Sequence, residues 1–162
     1  LAEVEKMLAE ENLPYRKRSS GVLFDMTRDS VLLLDTMGEL IGVFACADVA
    51  FVGGSLRNFG GHNPLEPAAL GVPVLFGPYM EQTGAKELLS GGAAALVHDE
   101  NEIVEILSDL MDNNDRRLAM AAAGPRVVAR FTGVLARTIR CMESRRLFEA
   151  VNGNALRRSP EK

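Results

Sequence analysis

The chain has 162 residues, of which 47% are hydrophobic and 25% charged, and its formal net charge is −4. This length and composition predict one globular domain with a real core, and the negative charge gives no support to nonspecific nucleic-acid binding. No apolar run approaches the roughly 18 residues of a membrane-spanning helix. The chain has only two His and two Cys, widely spaced, which argues against a structural zinc site.

Two features bear on the compartment and on the extent of the chain. Cys46 and Cys141 fall in helical patterns, so we expect both to be buried free thiols in a reducing compartment. The first residues, 1–6, are charged and lack the pattern of a signal peptide. Because the sequence begins without methionine inside a predicted helix, we expect it to be a fragment of a longer protein.

Helical and strand patterns alternate from the beginning of the chain. Apolar spacing predicts a helix over residues 2–11, and weak alternation predicts a short strand over residues 15–18. The basic residues of that strand indicate a solvated edge, or alternatively a surface that attracts an anionic ligand. Residues 22–24 are compatible with a short strand or a hairpin.

A turn at the end of the second predicted strand is the first candidate for ligand contact. The apolar run at residues 31–34 is typical of a parallel strand covered on both faces. The following turn leads into a predicted helix over residues 40–47, and open α/β sheets bind ligands at that edge. Asp35 and Glu39 would therefore cap the helix, contact a ligand, or do both.

Residues 51–80 read as strand, glycine loop, short helix and strand. Glycine pairs stand at residues 53–54 and 60–61, and a glycine loop before a helix is a suitable place for a phosphate. An ordinary βαβ turn would use glycines in the same way. The phosphate interpretation is favoured by three polar side chains at the mouth of the loop: His62, Asn63 and Glu66.

The short helix has terminal residues of the expected types. Asn63 suits the N-cap, Pro64 the first helical position and Glu66 the third. Gly71 suits the C′ position that follows the helix.

The second half continues the alternation and ends in helices. Predicted here are a strand over residues 93–97, a surface position for His98, and helices over residues 84–89, 100–111, 116–130 (loosened at Gly124-Pro125) and 132–151. Strands that alternate with helices favour a parallel sheet with helices on both faces. We therefore predict one Rossmann-like α/β domain over residues 1–150, with about four or five strands, followed by a polar tail over residues 151–162.

The central stretch also resembles a known signature. GGSLRNFGGHNPLEPAALGVPVLFGP, preceded by LPYRKRSSG and LLLDTMGEL, resembles the 3-deoxy-D-manno-octulosonic acid (Kdo) transferases of lipopolysaccharide synthesis. The resemblance implies the C-terminal half of a GT-B glycosyltransferase and an N-terminal acceptor domain ahead of it. After Gly77-Pro78 the family has His, a hydrophobic residue and Phe-Asn-Phe, whereas this chain has Tyr-Met-Glu-Gln-Thr at residues 79–83. Contacts that the family makes through this loop are therefore not carried over.

The resemblance further implies inverting, metal-independent transfer of Kdo from CMP-Kdo to a lipid A precursor, with CMP-Kdo as substrate and no cofactor. The full-length protein would act at the cytoplasmic face of the inner membrane. Its catalytic base would lie in the N-terminal domain, so this chain alone would bind the donor without transferring sugar. Carried over by motif, the residues that line the cytidine would be Met37, Gly38 and Glu39; those facing the phosphate and Kdo would be Ser55, Gly60, Gly61, His62 and Asn63; and Glu66 would hold the ribose.

Two other functions stay open at this point. One is another GT-B enzyme that uses a UDP-sugar, and the other is a nucleotide-binding module without catalytic activity. The sequence has no GxxxxGK[ST] P-loop, no GxSxG nucleophile elbow and no HExxH zinc motif, which excludes the enzymes that those motifs define.

Overall fold

A computed structural model describes residues 1–25 and 27–131. Its elements alternate as the sequence predicts, and their bounds are α1 (Ala2–Glu10), β1 (Tyr15–Lys17), β2 (Val31–Leu33), α2 (Leu40–Phe44), β3 (Ala50–Val52), α3 (Leu65–Ala69), β4 (Val74–Phe76), α4 (Ala85–Ser90), β5 (Ala94–Leu96), α5 (Glu100–Asp112) and α6 (Asn114–Val128). The predicted helix over residues 132–151 and the tail lie outside the described residues, as does Cys141.

The described strands are all parallel and form two hydrogen-bonded sheets. β1 pairs with β2, and β3, β4 and β5 pair in that order, with Ala50 opposite Val74 and Val74 opposite Ala94. The predicted parallel α/β architecture is confirmed. The single sheet that we expected is instead two ladders, because β2 and β3 are not hydrogen-bonded to each other.

The larger sheet is covered on both faces, as predicted. Val74 and Phe76 of β4 face a cluster that includes Leu88 of α4 and Val127 of α6. Leu75 faces the opposite way, into a second cluster with Leu110 and Met120. All three residues of β4 are buried, as a continuous apolar run in a central parallel strand should be.

Helix α6 lies directly on α3, the helix that follows the glycine loop. A Cβ atom added at Gly124 would come within 2.3 Å of the carbonyl oxygen of Ala68, so only glycine allows this approach. The predicted loosening at Gly124-Pro125 is wrong, because α6 continues through Pro125. The Asn113 side chain caps this helix by accepting a hydrogen bond from the backbone N–H of Arg116 at 3.0 Å.

Several predicted local features differ in the structure. Helix α2 ends at Phe44, so Cys46 lies in the turn beyond it and is exposed; the expected burial is wrong for this thiol. Residues 22–24 form no strand, and all three side chains are exposed. His98 is exposed, as predicted, and its Nδ1 lies 2.9 Å from the Glu102 carboxylate. Within residues 1–25 and 27–131, no helix is long and apolar enough to cross a membrane.

Candidate functional site

Two cavities meet where the loops after β2 and β3 approach each other. The first, of about 410 Å³, is lined by Leu40, Phe44, Phe51, Val52, Gly53, His62, Asn63 and Glu66. The second, of about 430 Å³, is lined by Leu34, Thr36, Met37, Gly38, Leu40, Ile41 and Glu66. Leu40 and Glu66 belong to both walls, so the two cavities adjoin. The structure thus brings together Met37 and Gly38 from one predicted loop and His62, Asn63 and Glu66 from the other.

The loop after β2 is held in place through Glu39, the N-cap residue of α2. The Glu39 carboxylate accepts hydrogen bonds from the hydroxyl of Thr36 and from the guanidinium of Arg18, the latter at 2.9 Å. The Thr36 hydroxyl, followed by Arg18, lowers the pKa of Glu39 below its ordinary value. Gly38 has a φ of +83°, which suits glycine in this turn, and the Met37 side chain is 97% exposed. Met37 is therefore free to cover a ligand.

Asp35 ties the same loop to the segment after β1. Its carboxylate accepts hydrogen bonds from both the hydroxyl and the backbone N–H of Ser19, the latter at 2.8 Å. These bonds lower the pKa of Asp35 below its ordinary value, and Lys17, whose Nζ lies 3.9 Å away, contributes further. Asp35 is thus charged and already occupied by protein partners.

The basic residues at positions 16–18, in β1 and just after it, are partly exposed, and each is paired with an acidic side chain. Arg16 donates two hydrogen bonds to Asp29, each of 3.0 Å. Lys17 contacts Glu5 at 2.8 Å. With Arg18 bound to Glu39, every basic residue of the run has an acidic partner. These residues therefore hold the loops of the site together instead of binding an external anion.

The glycine loop over residues 53–62 is closed at its base by its own backbone. The N–H of Gly61 donates to the carbonyl oxygen of Gly54 at 3.0 Å, and the N–H of His62 donates to that of Gly53 at 3.3 Å. These two N–H groups, which the sequence analysis predicted to be phosphate donors, are therefore paired within the loop. In the described part of the chain, the His62 imidazole has no hydrogen-bond partner.

Helix α3 begins two residues after Asn63, one residue later than predicted, yet Asn63 still serves its first turn. The Asn63 Oδ1 accepts the N–H of Leu65 at 3.0 Å, and its Nδ2 donates to Oε1 of Glu66 at 3.0 Å. The helix is followed, as predicted, by Gly71 with a φ of +75°. The Asn63–Glu66 bond orients the Glu66 carboxylate at the shared wall of the cavities.

The Ser55 hydroxyl lies in the interior and lines neither cavity. It donates to the carbonyl oxygen of Val52 at 2.5 Å and accepts the N–H of Gly77 at 2.8 Å. Gly60 and Gly61 are also absent from the walls of the two cavities. Ser55 therefore joins the start of the glycine loop to the end of β4.

Sequence reasoning missed two groups of residues at this site. The apolar wall of the first cavity, formed by Leu40, Phe44 and Phe51, read only as core in the sequence. Arg18 read as part of a surface run. The sequence did contain a signal for both groups. The carboxyl ends of parallel strands lie at one edge of a sheet, so residues near those ends are expected to lie close together.

Comparison with known proteins is consistent across sequence and structure. Residues 54–136 match a family described as Glycosyl transferase-like. A 3-deoxy-D-manno-octulosonic acid transferase of Chlamydophila psittaci is 36% identical over 125 residues, which are 75% of this chain and 28% of that protein. A transferase of the same name from Bordetella pertussis is 34% identical over 143 residues, which are 87% of this chain and 33% of that protein. The chain thus spans about a third of the length of these curated relatives.

A solved structure also matches most of this chain. The crystal structure of the C-terminal CMP-Kdo binding domain of WaaA from Acinetobacter baumannii superposes with a TM-score of 0.73 at 33% sequence identity. The match covers 78% of this chain and 67% of that chain.

Proposed function

The chain belongs to the glycosyl transferase-like family, and we propose that it is the CMP-Kdo-binding domain of a Kdo transferase. The observation that carries this proposal is the likeness, in both sequence and fold, to a domain that binds CMP-Kdo. Five of the motif residues also line one pair of adjoining cavities: Met37, Gly38, His62, Asn63 and Glu66.

The two cavities suggest how a cytidine nucleotide is held. The cavity beside Met37 and Gly38 takes the cytosine, whose flat apolar faces suit the walls formed by Leu40 and Ile41. Glu66 stands between the cavities and accepts hydrogen bonds from the ribose hydroxyls, a recurrent role for carboxylates in nucleotide sites. Its Oε1 is bound by Asn63, whereas Oε2 has no partner among the described residues and is available to the ribose.

The phosphate then lies on the side of His62 and Asn63. Because the N–H groups of Gly61 and His62 are paired within the loop, side chains take a larger share of this contact than the sequence suggested. The His62 imidazole and the second N–H of the Asn63 amide, whose first N–H is bonded to Glu66, are exposed donors beside the first cavity. They would stabilise the negative charge that develops on the departing CMP.

The activity of the whole protein forms part of the same proposal. It transfers Kdo from CMP-Kdo to a lipid A precursor with inversion and without a metal, at the cytoplasmic face of the inner membrane. A carboxylate base outside this chain activates the acceptor. The names of relatives about three times as long support the transfer, and the motif resemblance supports the remaining details.

Titration of the chain with CMP, UMP and UDP, followed by amide NMR and calorimetry, tests the proposal. We expect CMP to bind most tightly and to shift the signals of residues 37–39 and 61–66. Glu66→Gln should weaken CMP binding about tenfold or more, since a charge-assisted hydrogen bond is lost. The matched control is Glu105→Gln on the exposed face of α5, which should bind CMP as the wild type does. Preference for UDP would favour a UDP-sugar enzyme, and no binding of any nucleotide would overturn the proposal.

A further inference from the structure

The segment over residues 79–82, which Gly77 and Pro78 separate from β4, lies against the glycine loop. We refer to this segment as the clamp. It begins where the chain departs from the Kdo transferase pattern, so the resemblance assigns it no role. Its first contact is at the start of the glycine loop, where the N–H of Tyr79 donates to the carbonyl oxygen of Ser55 at 2.9 Å.

The clamp makes its other contacts at the far end of the glycine loop. The N–H of Glu81 donates to the carbonyl oxygen of Gly60 at 3.1 Å. The side-chain amide of Gln82 donates to the carbonyl oxygen of Gly61 at 3.1 Å. The sulfur and terminal methyl of Met80 pack so closely on Gly61 that an added Cβ atom would come within 2.7 Å of both. Three successive residues thus contact one pair of glycines.

These contacts fix a part of the chain that would otherwise be free. Gly60 and Gly61 have φ values of +80° and +69°, a region that glycine enters and leaves at little cost. A loop that is disordered before binding must be ordered when the ligand binds, and this ordering weakens affinity. A loop held in its bound shape by its neighbours avoids that loss.

We propose that the clamp pre-orders the glycine loop for the phosphate of the donor, with Gln82 as a positioning residue. The inference rests on the proposed function, because it concerns the same donor site. Gln82 acts through the Gly61 carbonyl oxygen, whose peptide unit also carries the N–H of His62. Without the amide, the described residues hold this peptide only through the bond from the His62 N–H to the Gly53 carbonyl oxygen. His62 is then oriented less firmly, while the cytosine cavity beside Met37 is left intact.

The exposure of Gln82 makes a specific test possible. Gln82 and Lys86 are both exposed and both lie at the groove beside α4. Gln82→Met removes the amide and keeps the length of the side chain. Lys86→Met also replaces a polar end by an apolar one, and among the described residues the Lys86 side chain has no hydrogen bond to lose. Each variant is titrated with CMP and, separately, with cytidine, which lacks the phosphate. Thermal unfolding is recorded for all proteins.

We expect Gln82→Met to weaken CMP binding about three- to tenfold, the size of one neutral hydrogen bond. Cytidine binding and the unfolding temperature should match the wild type, and Lys86→Met should match it in every measurement. The backbone N–H of Glu81 is bonded to Gly60, next to the glycine that Gln82 holds. Hydrogen exchange of this N–H should therefore be faster in Gln82→Met.

The outcomes separate the two proposals. If the wild type binds neither CMP nor cytidine, the proposed function fails, and the proposed role of the clamp fails with it. If the wild type binds CMP and Gln82→Met binds it equally well, the role of Gln82 is overturned and the proposed function stands. Equal losses of CMP and cytidine affinity, accompanied by a lower unfolding temperature, would show a general structural role and would also overturn the inference.

Discussion

The two sheets that flank the site are stabilised in different ways. In the β1–β2 sheet all the strand residues are partly exposed, and the surrounding segments are joined by ion pairs such as Arg16–Asp29 and Arg18–Glu39. In the β3–β5 sheet the central strand β4 is wholly buried, and apolar clusters cover both faces. The first region therefore depends on charge and the second on close packing.

This difference predicts that the two sides of the proposed donor site respond to different changes. The turn that would hold the cytosine is fixed by Asp35 and Glu39, whose partners are polar and partly exposed. The loop that would hold the phosphate is fixed by buried contacts of Ser55 and by the clamp. Salt and pH should act mainly on the first side, and changes of side-chain volume should act mainly on the second.

The largest effect is expected from Leu88→Ala in α4. Leu88 is 0% exposed and packs in the cluster under β4, so the variant should lose about 2–5 kcal/mol of unfolding free energy. Urea denaturation measures the loss. Leu118→Ala, at a position that is 55% exposed, is the control and should change the value by less than about 0.5 kcal/mol. Equal losses of unfolding free energy in the two variants would show that the β3–β5 region does not depend on packing.

Gly124→Ala tests the contact between α6 and α3. The new Cβ would meet the backbone oxygen of Ala68, which cannot rotate away, so we expect a loss of about 1–3 kcal/mol in unfolding free energy. Gly42→Ala is the matched control, because nothing lies within 4 Å of the added atom there. The control should leave the unfolding free energy unchanged or raise it slightly, since alanine favours a helix more than glycine does. An unchanged unfolding free energy in Gly124→Ala would refute the close approach of the two helices.

A smaller loss, dependent on salt, is expected from Arg16→Met in β1. Among the described residues, the variant leaves the Asp29 carboxylate with the backbone N–H of Asp25 as its one hydrogen-bond partner. Because ions screen the charges, the difference from the wild type should shrink as NaCl is raised to about 1 M in the denaturation experiment. Arg28→Met, whose guanidinium is largely exposed, should show no difference at any salt concentration. A loss independent of salt would point to packing instead.

The smallest effect concerns acid pH. The pKa values of Asp35 and Glu39 are lowered in the folded chain, by Ser19 and by Thr36 with Arg18. A lowered folded pKa contributes stability that is present above the unfolded pKa, near pH 4, and is lost as pH falls through the folded value. Ser19→Ala should therefore reduce the loss of stability between about pH 5 and 2, as measured by denaturation at each pH. An unchanged acid profile would show that Asp35 gains nothing from the Ser19 hydroxyl, since the backbone N–H of residue 19 is kept in the variant.

Much of the fold was predictable from local patterns. The alternation of strands and helices, the parallel direction and the buried β4 followed from apolar runs and from glycine and proline positions. Boundaries were less well predicted, as α2 and α3 show, because the end of a helix depends on side-chain and tertiary partners that periodicity does not reveal.

The candidate site was predicted in part. The motifs located Met37, Gly38, His62, Asn63 and Glu66 on facing loops, and these residues do line the adjoining cavities. The direction of the Ser55 hydroxyl and the pairing of the loop N–H groups were not predictable, because each depends on an atom contributed by another part of the chain.

The family, the α/β class and the motif residues of the proposed donor site can all be predicted from the sequence. These properties are local, since they depend on residue types at short, fixed spacings. Three features are visible only in the folded chain: the strands form two sheets, the basic run pairs with acidic residues, and Gln82 donates a hydrogen bond to Gly61. Such contacts join segments far apart in the chain, and their geometry is set when the strands pack side by side and bring the loop ends to one edge.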